Sequence, residues 1–152
     1  MSVTLRRARS QDAETLTDLS IRSKRSNGYD DAFMAACRAE LTVSEADIAH
    51  AEYWIAESGA VLGCACLLAD PDGRAGVIHA FFIDPDRQRQ GIGRLLWQKL
   101  LERARAKGMV ELRLDADPNA VPFYQALGFE TVGECPSGSI AGRTLPHMMI
   151  AL

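Results

Sequence analysis

Residues 83–94 read Ile-Asp-Pro-Asp-Arg-Gln-Arg-Gln-Gly-Ile-Gly-Arg, and this stretch separates two segments of different character. The preceding run, Gly76–Ile83, is nearly continuous in apolar, β-favouring residues, as expected of a central strand covered on both faces. The following run, Gly91–Lys107, has the apolar spacing of an amphipathic helix, and Gly108 provides its C-cap. Its predicted inward stripe is Ile92, Leu95, Leu96, Leu100 and Ala104. Residues 83–94 are therefore predicted to lead from a buried strand into a helix.

Turn and capping residues divide the rest of the chain into strands and helices. The predicted strands are Val3–Arg9, Glu52–Ser58, Ala60–Ala69, Gly76–Ile83, Val110–Asp115 and two that begin near Phe129 and Thr144. The predicted helices are Ala13–Arg25, a segment from Asp30 or Asp31 to Leu41, Gly91–Lys107 and Asn119–Leu127, and the S-x-x-D box at Ser44 predicts one further helical turn. The order β-α-α-β-β-β-α-β-α-β-β predicts an α/β (α+β) fold with a mixed sheet flanked by helices, in one domain over residues 1–152.

Composition and charge exclude several classes of protein. The net charge of −3 provides no basic field for nucleic acid. No run of 18 apolar residues predicts a membrane span, and the first residues lack the apolar run of a secretory signal. The four cysteines form no CxxC pair and have no histidine at metal-ligand spacing, so we predict no metal. Cys64 and Cys66 lie two apart in an apolar run, so we expect them to be buried, reduced thiols, and we expect a cytoplasmic location.

The loop at residues 83–94 has the features of an anion site. The first amides of a helix have no internal partner and carry partial positive charge. Glycine at positions 91 and 93 lets an anion approach the main chain, and three arginines add positive charge: Arg87, Arg89 and Arg94. Glycines that serve only packing are the alternative, but the combination favours binding. A P-loop is excluded because GxxxxGK[ST] is absent, and GxGxxG because Leu96 stands at the third glycine position.

Two motifs, in this order, resemble the signatures of the GCN5-related N-acetyltransferase (GNAT) family. Gln88-x-x-Gly91-x-Gly93 matches Q/R-x-x-G-x-G/A, and residues 119–129, Asn-Ala-Val-Pro-Phe-Tyr-Gln-Ala-Leu-Gly-Phe, resemble the second signature. The order of elements is similar to that family's fold over essentially the whole chain. The resemblance implies a mostly antiparallel central sheet and direct transfer of an acetyl group from acetyl-CoA, as co-substrate, to a primary amine of a small molecule or peptide.

The resemblance also implies the cofactor contacts. The main chain of Phe82 and Ile83 is expected to hydrogen-bond the pantetheine arm as an added strand does, and the amides of residues 89–94 to hold the pyrophosphate. The cofactor-binding residues implied are Phe82, Ile83, Gln88, Arg89, Gln90, Gly91, Ile92, Gly93, Arg94, Asn119 and Phe123. Many members have the signature asparagine three residues before the alanine, where this chain has Asp117.

Two residues are predicted to be catalytic. Tyr124 lies inside the second motif, where many members use a tyrosine, and its phenol suits the proton that the departing thiolate needs; packing with the hydroxyl in water is the alternative. His79 lies on the central strand, where some members carry a basic or acidic catalytic side chain, and strand alternation places it in register with Phe81 and Ile83. Its imidazole is a candidate base, and an ordinary buried histidine, with ordered water removing the proton, is the alternative.

The acceptor is expected to enter near the loop between the first two helices. Tyr29 and Asp30 lie there, and Asp30 either attracts a cationic amine or caps the second helix. A non-catalytic acyl-CoA sensor is the alternative function, with a structural protein a third class, and retention of Tyr124 favours the enzyme. The acceptor's identity, acetyl against longer acyl donors, and monomer against homodimer are left open by the sequence.

Overall fold

The structure is a computed structural model and describes residues 2–152. Its strands are β1 (Thr4–Arg7), β2 (Glu52–Ser58), β3 (Ala60–Ala69), β4 (Ala75–Ile83), β5 (Glu111–Asp115), β6 (Glu130–Pro136) and β7 (Thr144–Ala151). Its helices are α1 (Ala13–Arg25), α2 (Asp31–Leu41), α3 (Glu45–His50), α4 (Ile92–Ala106) and α5 (Val121–Leu127). The strands form one sheet in the order β1-β2-β3-β4-β5-β7-β6, in which only β4 and β5 are parallel neighbours. The predicted mixed, mostly antiparallel sheet flanked by helices is confirmed.

The differences in element boundaries have local causes. The turn predicted at Ser44 extends to the six residues of α3, because the Ser44 and Asp47 side chains each accept a hydrogen bond from the other's amide, at 3.0 and 2.9 Å. β1 ends at Arg7 rather than Arg9, since the chain then enters a 3-10 turn in which Asp12 accepts from the Arg9 amide at 2.7 Å. The helix predicted from Asn119 starts as a 3-10 turn, Pro118–Ala120, and becomes α-helical at Val121.

Helices cover both faces of the N-terminal half of the sheet. On one face, Leu16 and Leu19 of α1 pack against the buried thiols of Cys64 and Cys66. On the other face, α4 buries a stripe of apolar side chains: Ile92, Leu96, Trp97, Leu100 and Ala104. Leu95 was predicted to belong to this stripe, but it is 37% exposed, because the i, i+4 rows leave it beside the stripe and bring Trp97 inward. Within residues 2–152, no helix has the length and apolarity needed to cross a membrane.

The parallel neighbours β4 and β5 separate soon after they meet. Only Ala75–Val77 pairs with Glu111–Arg113. Beyond these residues β4 keeps only β3 as a neighbour, through Ile83, and β5 keeps β7. The β3–β4 register shifts just past the last shared pair, which makes His79 the extra residue of a β-bulge. A bulge bends its strand and increases its twist, so the divergence begins where the bulge lies.

Candidate active site

A cavity of about 780 Å³ occupies the gap between β4 and β5. One side, here called the β4 wall, consists of residues 78–83, the loop that follows and the first turn of α4. The other side, here called the β5 wall, consists of residues 114–117, Asn119, Ala120 and two side chains of α5, Phe123 and Tyr124. A volume of this size is typical of small-molecule and cofactor sites.

The β4 wall presents main-chain groups to the cavity. Past Val77, the edge of β4 that faces β5 has no strand partner among residues 2–152, so its amides and carbonyls remain available to a ligand. At the end of this edge α4 begins, and its first amide with a helical partner is that of Leu95, which donates to the Gly91 carbonyl at 3.1 Å. The amides of Ile92, Gly93 and Arg94 precede that bond, so they are the unpaired donors of an anion site.

The conformation of the loop explains its glycines. Gly91 is the N-cap of α4 and has φ 81°, a left-handed conformation that favours glycine, and the space beside it is open. Gly93 has a different requirement, because a Cβ there would lie 3.1 Å from the ring of Phe123. The packing alternative thus applies in part to Gly93, which accommodates a ring from the β5 wall, whereas the open space beside Gly91 fits the approach of an anion.

Most of the predicted cofactor contacts lie together at this cavity. Its lining includes every one of them except Gln90: Phe82, Ile83, Gln88, Arg89, Gly91, Ile92, Gly93, Arg94, Asn119 and Phe123. Arg89 has φ 66°, an uncommon conformation for a residue with a side chain. The three arginines of the loop also line the cavity, so its α4 end is positively charged.

Tyr124 lies in the aromatic part of the β5 wall. Its ring packs edge-on against Phe81, Phe123 and Phe129, with centroids 6.1, 5.3 and 5.6 Å away. Burial raises the pKa of its phenol, so the hydroxyl keeps its proton at neutral pH. Among residues 2–152 no group hydrogen-bonds that hydroxyl, which leaves it available as a donor toward the cavity.

His79 lies between two cavities. Besides the main cavity it lines a recess of about 230 Å³, together with Asp47 and Tyr53. Phe81 and Ile83 pack instead with the core under α4, because the bulge shifts the alternation of β4. The predicted common face of His79 with Phe81 and Ile83 is therefore wrong.

A cluster of polar side chains surrounds Asp117 at the end of β5. Its carboxylate accepts from Lys24 Nζ at 2.6 Å, the Tyr29 hydroxyl at 2.9 Å and the Asn119 amide at 2.9 Å, and Arg143 Nη2 lies 3.7 Å away. Burial raises the pKa of this carboxyl, but the hydrogen bonds from Lys24 and Asn119 outweigh burial and bring the pKa to about 2. The Asp117 cluster thus joins α1, the α1–α2 loop and the β6–β7 loop beside the cavity.

The two predicted acceptor residues lie outside the cavity lining. Asp30 is the N-cap of α2, where it accepts from the Phe33 amide at 2.8 Å, as the capping alternative predicts. Tyr29 accepts at its hydroxyl from Arg143 Nη2 at 2.7 Å and from Asn119 Nδ2 at 3.1 Å. Tyr29 is therefore connected to the cavity only indirectly, by its hydrogen bond to Asp117. The Asn119 side chain is hydrogen-bonded within the same cluster.

Several residues of the site were missed at the level of sequence. Asp117 had a signal, because it lies two residues past a predicted strand and two before the second motif, yet it was noted only as a departure from the family pattern. Lys24 and Arg143 were not singled out, since Lys24 is 93 positions from Asp117 and only the fold brings these side chains together. Glu40 of α2, which lines both cavities and accepts from Ser139 Oγ at 2.9 Å, is of the same kind.

Comparisons with known proteins agree with this arrangement. Residues 14–129 match the model of the Acetyltransferase (GNAT) family. The peptidyl-lysine N-acetyltransferase YjaB of Salmonella typhimurium is 30% identical over 141 residues, which cover 88% of this chain and 87% of that protein. The glucosamine 6-phosphate N-acetyltransferase of Trypanosoma brucei brucei is 36% identical over 77 residues, 47% of this chain. This chain spans about half the length of that enzyme and of other curated relatives that it matches.

Solved structures share the fold over the full length. The PaiA N-acetyltransferase of Thermoplasma acidophilum, solved in complex with coenzyme A, superposes with a TM-score of 0.83, and the match covers 100% of both chains at 18% identity. A GCN5-related N-acetyltransferase of Rhodopseudomonas palustris gives a TM-score of 0.81 at 23% identity, covering 100% of this chain and 97% of that one.

Proposed function

Because this chain belongs to the Acetyltransferase (GNAT) family, we propose that it transfers the acetyl group of acetyl-CoA directly to a primary amine. One observation carries the proposal: the open edge of β4 leads straight to the unpaired amides at the start of α4. An extended, hydrogen-bonding arm that ends in a pyrophosphate is complementary to such an edge and such a helix start.

Acetyl-CoA is proposed to bind along the β4 wall. Phe82 and Ile83 offer main-chain groups to the pantetheine arm, and the amides of residues 92–94 face the pyrophosphate. Arg87, Arg89 and Arg94 line the same end of the cavity, where their charges favour phosphate. Gln88 and Asn119 also line the cavity, whereas Gln90 contributes through the conformation of the loop.

The proposed chemistry places proton transfers at Tyr124 and His79. The neutral amine attacks the thioester carbon, the C–N bond forms, and the C–S bond breaks with its electron pair going to sulfur. Tyr124 donates its proton to that sulfur, and the buried phenol suits this role because it is protonated at neutral pH. His79, alone or through water, accepts the proton that the amine loses.

The role of His79 has a direct test. His79→Gln keeps a polar side chain of similar size but cannot take up the amine's proton. We expect kcat to fall in the variant, and one limb of its pH–rate profile to differ from that of the wild type. His50→Gln, at an exposed histidine of α3, is the matched control and should keep the wild-type profile. An unchanged profile in His79→Gln would leave water as the proton acceptor.

The acceptor is proposed to enter from the recess beside His79. Glu40 and Asp47 line that recess, so a cationic amine is attracted before it loses its proton. The relatives named above act on a peptidyl lysine and on an amino sugar phosphate, and both classes belong in an amine panel. Asp30 is not proposed to contact the acceptor. Tyr29 is proposed to affect acceptor binding only indirectly, through its hydrogen bond to Asp117.

Release of the CoA thiol, followed across the amine panel, tests the function. The enzyme is expected to release thiol only with an accepted amine and to form one N-acetyl product per thiol. Cofactor binding measured by calorimetry without thiol release would instead support the acyl-CoA sensor. Absence of both binding and release would contradict each of these functions. Acetyl-CoA and longer acyl-CoAs, compared in the same assay, define the donor.

Two proposals about organisation and location accompany the function. Residues 1–152 act as one N-acetyltransferase domain, which the single sheet from β1 to β7 supports. The cytoplasm is the proposed location, because the four cysteines are unpaired thiols and acetyl-CoA is an intracellular metabolite. Monomer and homodimer remain alternatives that light scattering distinguishes.

A further inference from the structure

Three side chains with metal-binding chemistry meet on one face of the C-terminal half of the sheet. Asp115 ends β5 and lies directly opposite His147 on β7. His147 pairs on its other side with Gly133 of β6, and Cys135 follows two residues later on that strand. Because residues two apart on a strand share a face, Cys135 lies diagonally across from His147 on the face that His147 and Asp115 occupy.

The ligand atoms are already close together. One oxygen of Asp115, one nitrogen of His147 and the sulfur of Cys135 all lie within 4.8 Å of one another. The shortest separation is 2.7 Å, between Asp115 Oδ1 and His147 Nδ1. Tetrahedral zinc, with bonds of about 2.0 to 2.3 Å, spaces its ligand atoms roughly 3.3 to 3.7 Å apart. Side-chain rotations that move the three ligand atoms by about 1 Å would therefore give the spacing of a zinc coordination shell.

The chemistry of the cluster also suits a cation. The Cys135 sulfur and a His147 ring nitrogen both lie within 4.8 Å of a carboxylate oxygen of Asp115, and His147 Nδ1 is 2.7 Å from Asp115 Oδ1. The carboxylate therefore lies beside both of the other ligand atoms. A divalent ion placed there interacts with the carboxylate and displaces the thiol proton to solvent, so binding releases about one proton per ion.

We propose that Asp115, Cys135 and His147 form a zinc site that links β5, β7 and β6. Thiolate sulfur combined with imidazole nitrogen selects zinc over magnesium or calcium, and one carboxylate completes three protein ligands, with water as the fourth. The site is separate from the proposed acetyl transfer, which uses no metal. Asp115 also lines the main cavity, so the ion would lie near its rim.

Sequence spacing did not reveal this site. Cys135 and His147 lack the close pairing of zinc motifs, and Asp115 belongs to a third strand. The β6–β7 hairpin and the β5–β7 register bring the three together. The prediction that the chain has no metal site rested on spacing alone, and the proposal departs from it on the basis of tertiary geometry.

Zinc binding to untagged, reduced protein is measured by competition with a chromophoric chelator at neutral pH. We expect one equivalent per chain, and at least a tenfold loss of affinity in Cys135→Ser and in His147→Asn. His50→Asn, at an exposed histidine away from the cluster, should bind like the wild type. Each variant is first shown to unfold cooperatively without metal.

Cobalt substitution gives a second, spectroscopic readout of the same site. Tetrahedral Co²⁺ bound to Cys135 is expected to show visible bands and a near-ultraviolet thiolate band, and Cys135→Ser to lose the latter. Zinc should also raise the unfolding temperature of the wild type and not of the two site variants. Failure to bind, equal affinity in all variants, or cobalt spectra without a thiolate band would each overturn the site.

Discussion

The two walls of the cavity present different chemical groups, main chain on one side and side chains on the other. The β4 wall presents main chain: an open strand edge and the first amides of α4, held in place by one loop that is continuous in sequence. The β5 wall presents side chains, among them Tyr124 in an aromatic cluster and Asp117 in a network with Lys24, Tyr29 and Arg143. A wall of main chain needs only glycines and a strand, whereas a wall of side chains needs several segments positioned at once.

This contrast separates cofactor binding from catalysis and acceptor choice. Main-chain donors recognise the pyrophosphate and pantetheine that any acyl-CoA carries, so the β4 wall is suited to the constant substrate. Side chains can change without altering the fold, so the β5 wall and the recess at His79 are suited to the variable one. Substitutions in each wall should therefore affect different kinetic constants.

Tyr124→Phe should have the largest effect, and this effect should be on kcat and not on cofactor binding. Removal of the hydroxyl takes away the proposed proton donor while the ring keeps its packing, so we expect kcat to fall about 100-fold. The Kd for acetyl-CoA, measured by calorimetry, should stay within a factor of two or so of the wild type, on the order of measurement error. An unchanged turnover would remove Tyr124 from the mechanism.

Asp117→Asn should have the second largest effect, a loss of stability at the β5 wall. Because the pKa of Asp117 is about 2 when folded and ordinarily 3.8, its charge should stabilise the fold by about 2 kcal/mol above pH 5. The wild type should lose this stabilisation as pH falls from about 4 to 2, since the folded-state pKa is the lower one. Chemical denaturation at several pH values measures this loss. The variant should have a lower free energy of unfolding at neutral pH, and this free energy should change less between pH 4 and 2 than that of the wild type.

The matched control for Asp117 is Glu52→Gln. Glu52 pairs with Arg103 of α4 and with Lys107, the C-cap residue of that helix, and the pKa of Glu52 is also about 2 despite burial. Both variants should lose stability, but only Asp117→Asn should raise KM for the acceptor, because Glu52 lies away from the cavity lining. Equal effects on KM would mean that the Asp117 cluster supports the fold alone.

Gly91→Ala probes the β4 wall. Gly91 and Gly108 have φ of 81° and 76° at the two ends of α4, so alanine at either should cost about 1 kcal/mol of stability. Only Gly91→Ala adds a methyl beside the proposed phosphate site, and we expect it to weaken CoA binding about tenfold with little change in Tyr124-dependent chemistry. Similar Kd values for the two variants in calorimetry would contradict a pyrophosphate at this helix start.

Tyr29→Phe should have the smallest effect. It removes one hydroxyl from the Asp117 cluster while Lys24 continues to neutralise the carboxylate, so the loss of stability should be about 1 kcal/mol. Like Tyr124→Phe, it removes one phenol hydroxyl, but from a tyrosine that contacts the β5 wall through Asp117 and does not line the cavity. A moderate rise in acceptor KM with kcat nearly intact is expected in steady-state assays; a loss of kcat like that of Tyr124→Phe would mean that hydroxyl removal perturbs the whole wall.

The parts of the fold that sequence predicted well are those with local causes. The bounds of α1, β2 and β3 follow from caps and turn residues that lie within a few positions of each boundary. The bulge at His79 was not predicted, because it depends on how β4 pairs with β3 and β5, and this changed the face on which His79 lies. Leu95 was wrongly predicted to face the core, because the apolar spacing of α4 alone does not say which of its neighbouring rows of side chains faces the sheet.

The sequence by itself determined the family, the order of elements and the β4 wall of the site. Main-chain recognition uses a contiguous loop, and a contiguous loop leaves a readable motif from Gln88 to Gly93. Tertiary structure alone decided the separation of β4 from β5, the Asp117 cluster, the exclusion of Asp30 from the cavity lining and the meeting of Asp115, Cys135 and His147. Each of these joins residues from different elements, and strand register and helix packing, which act over long sequence distances, bring such residues together.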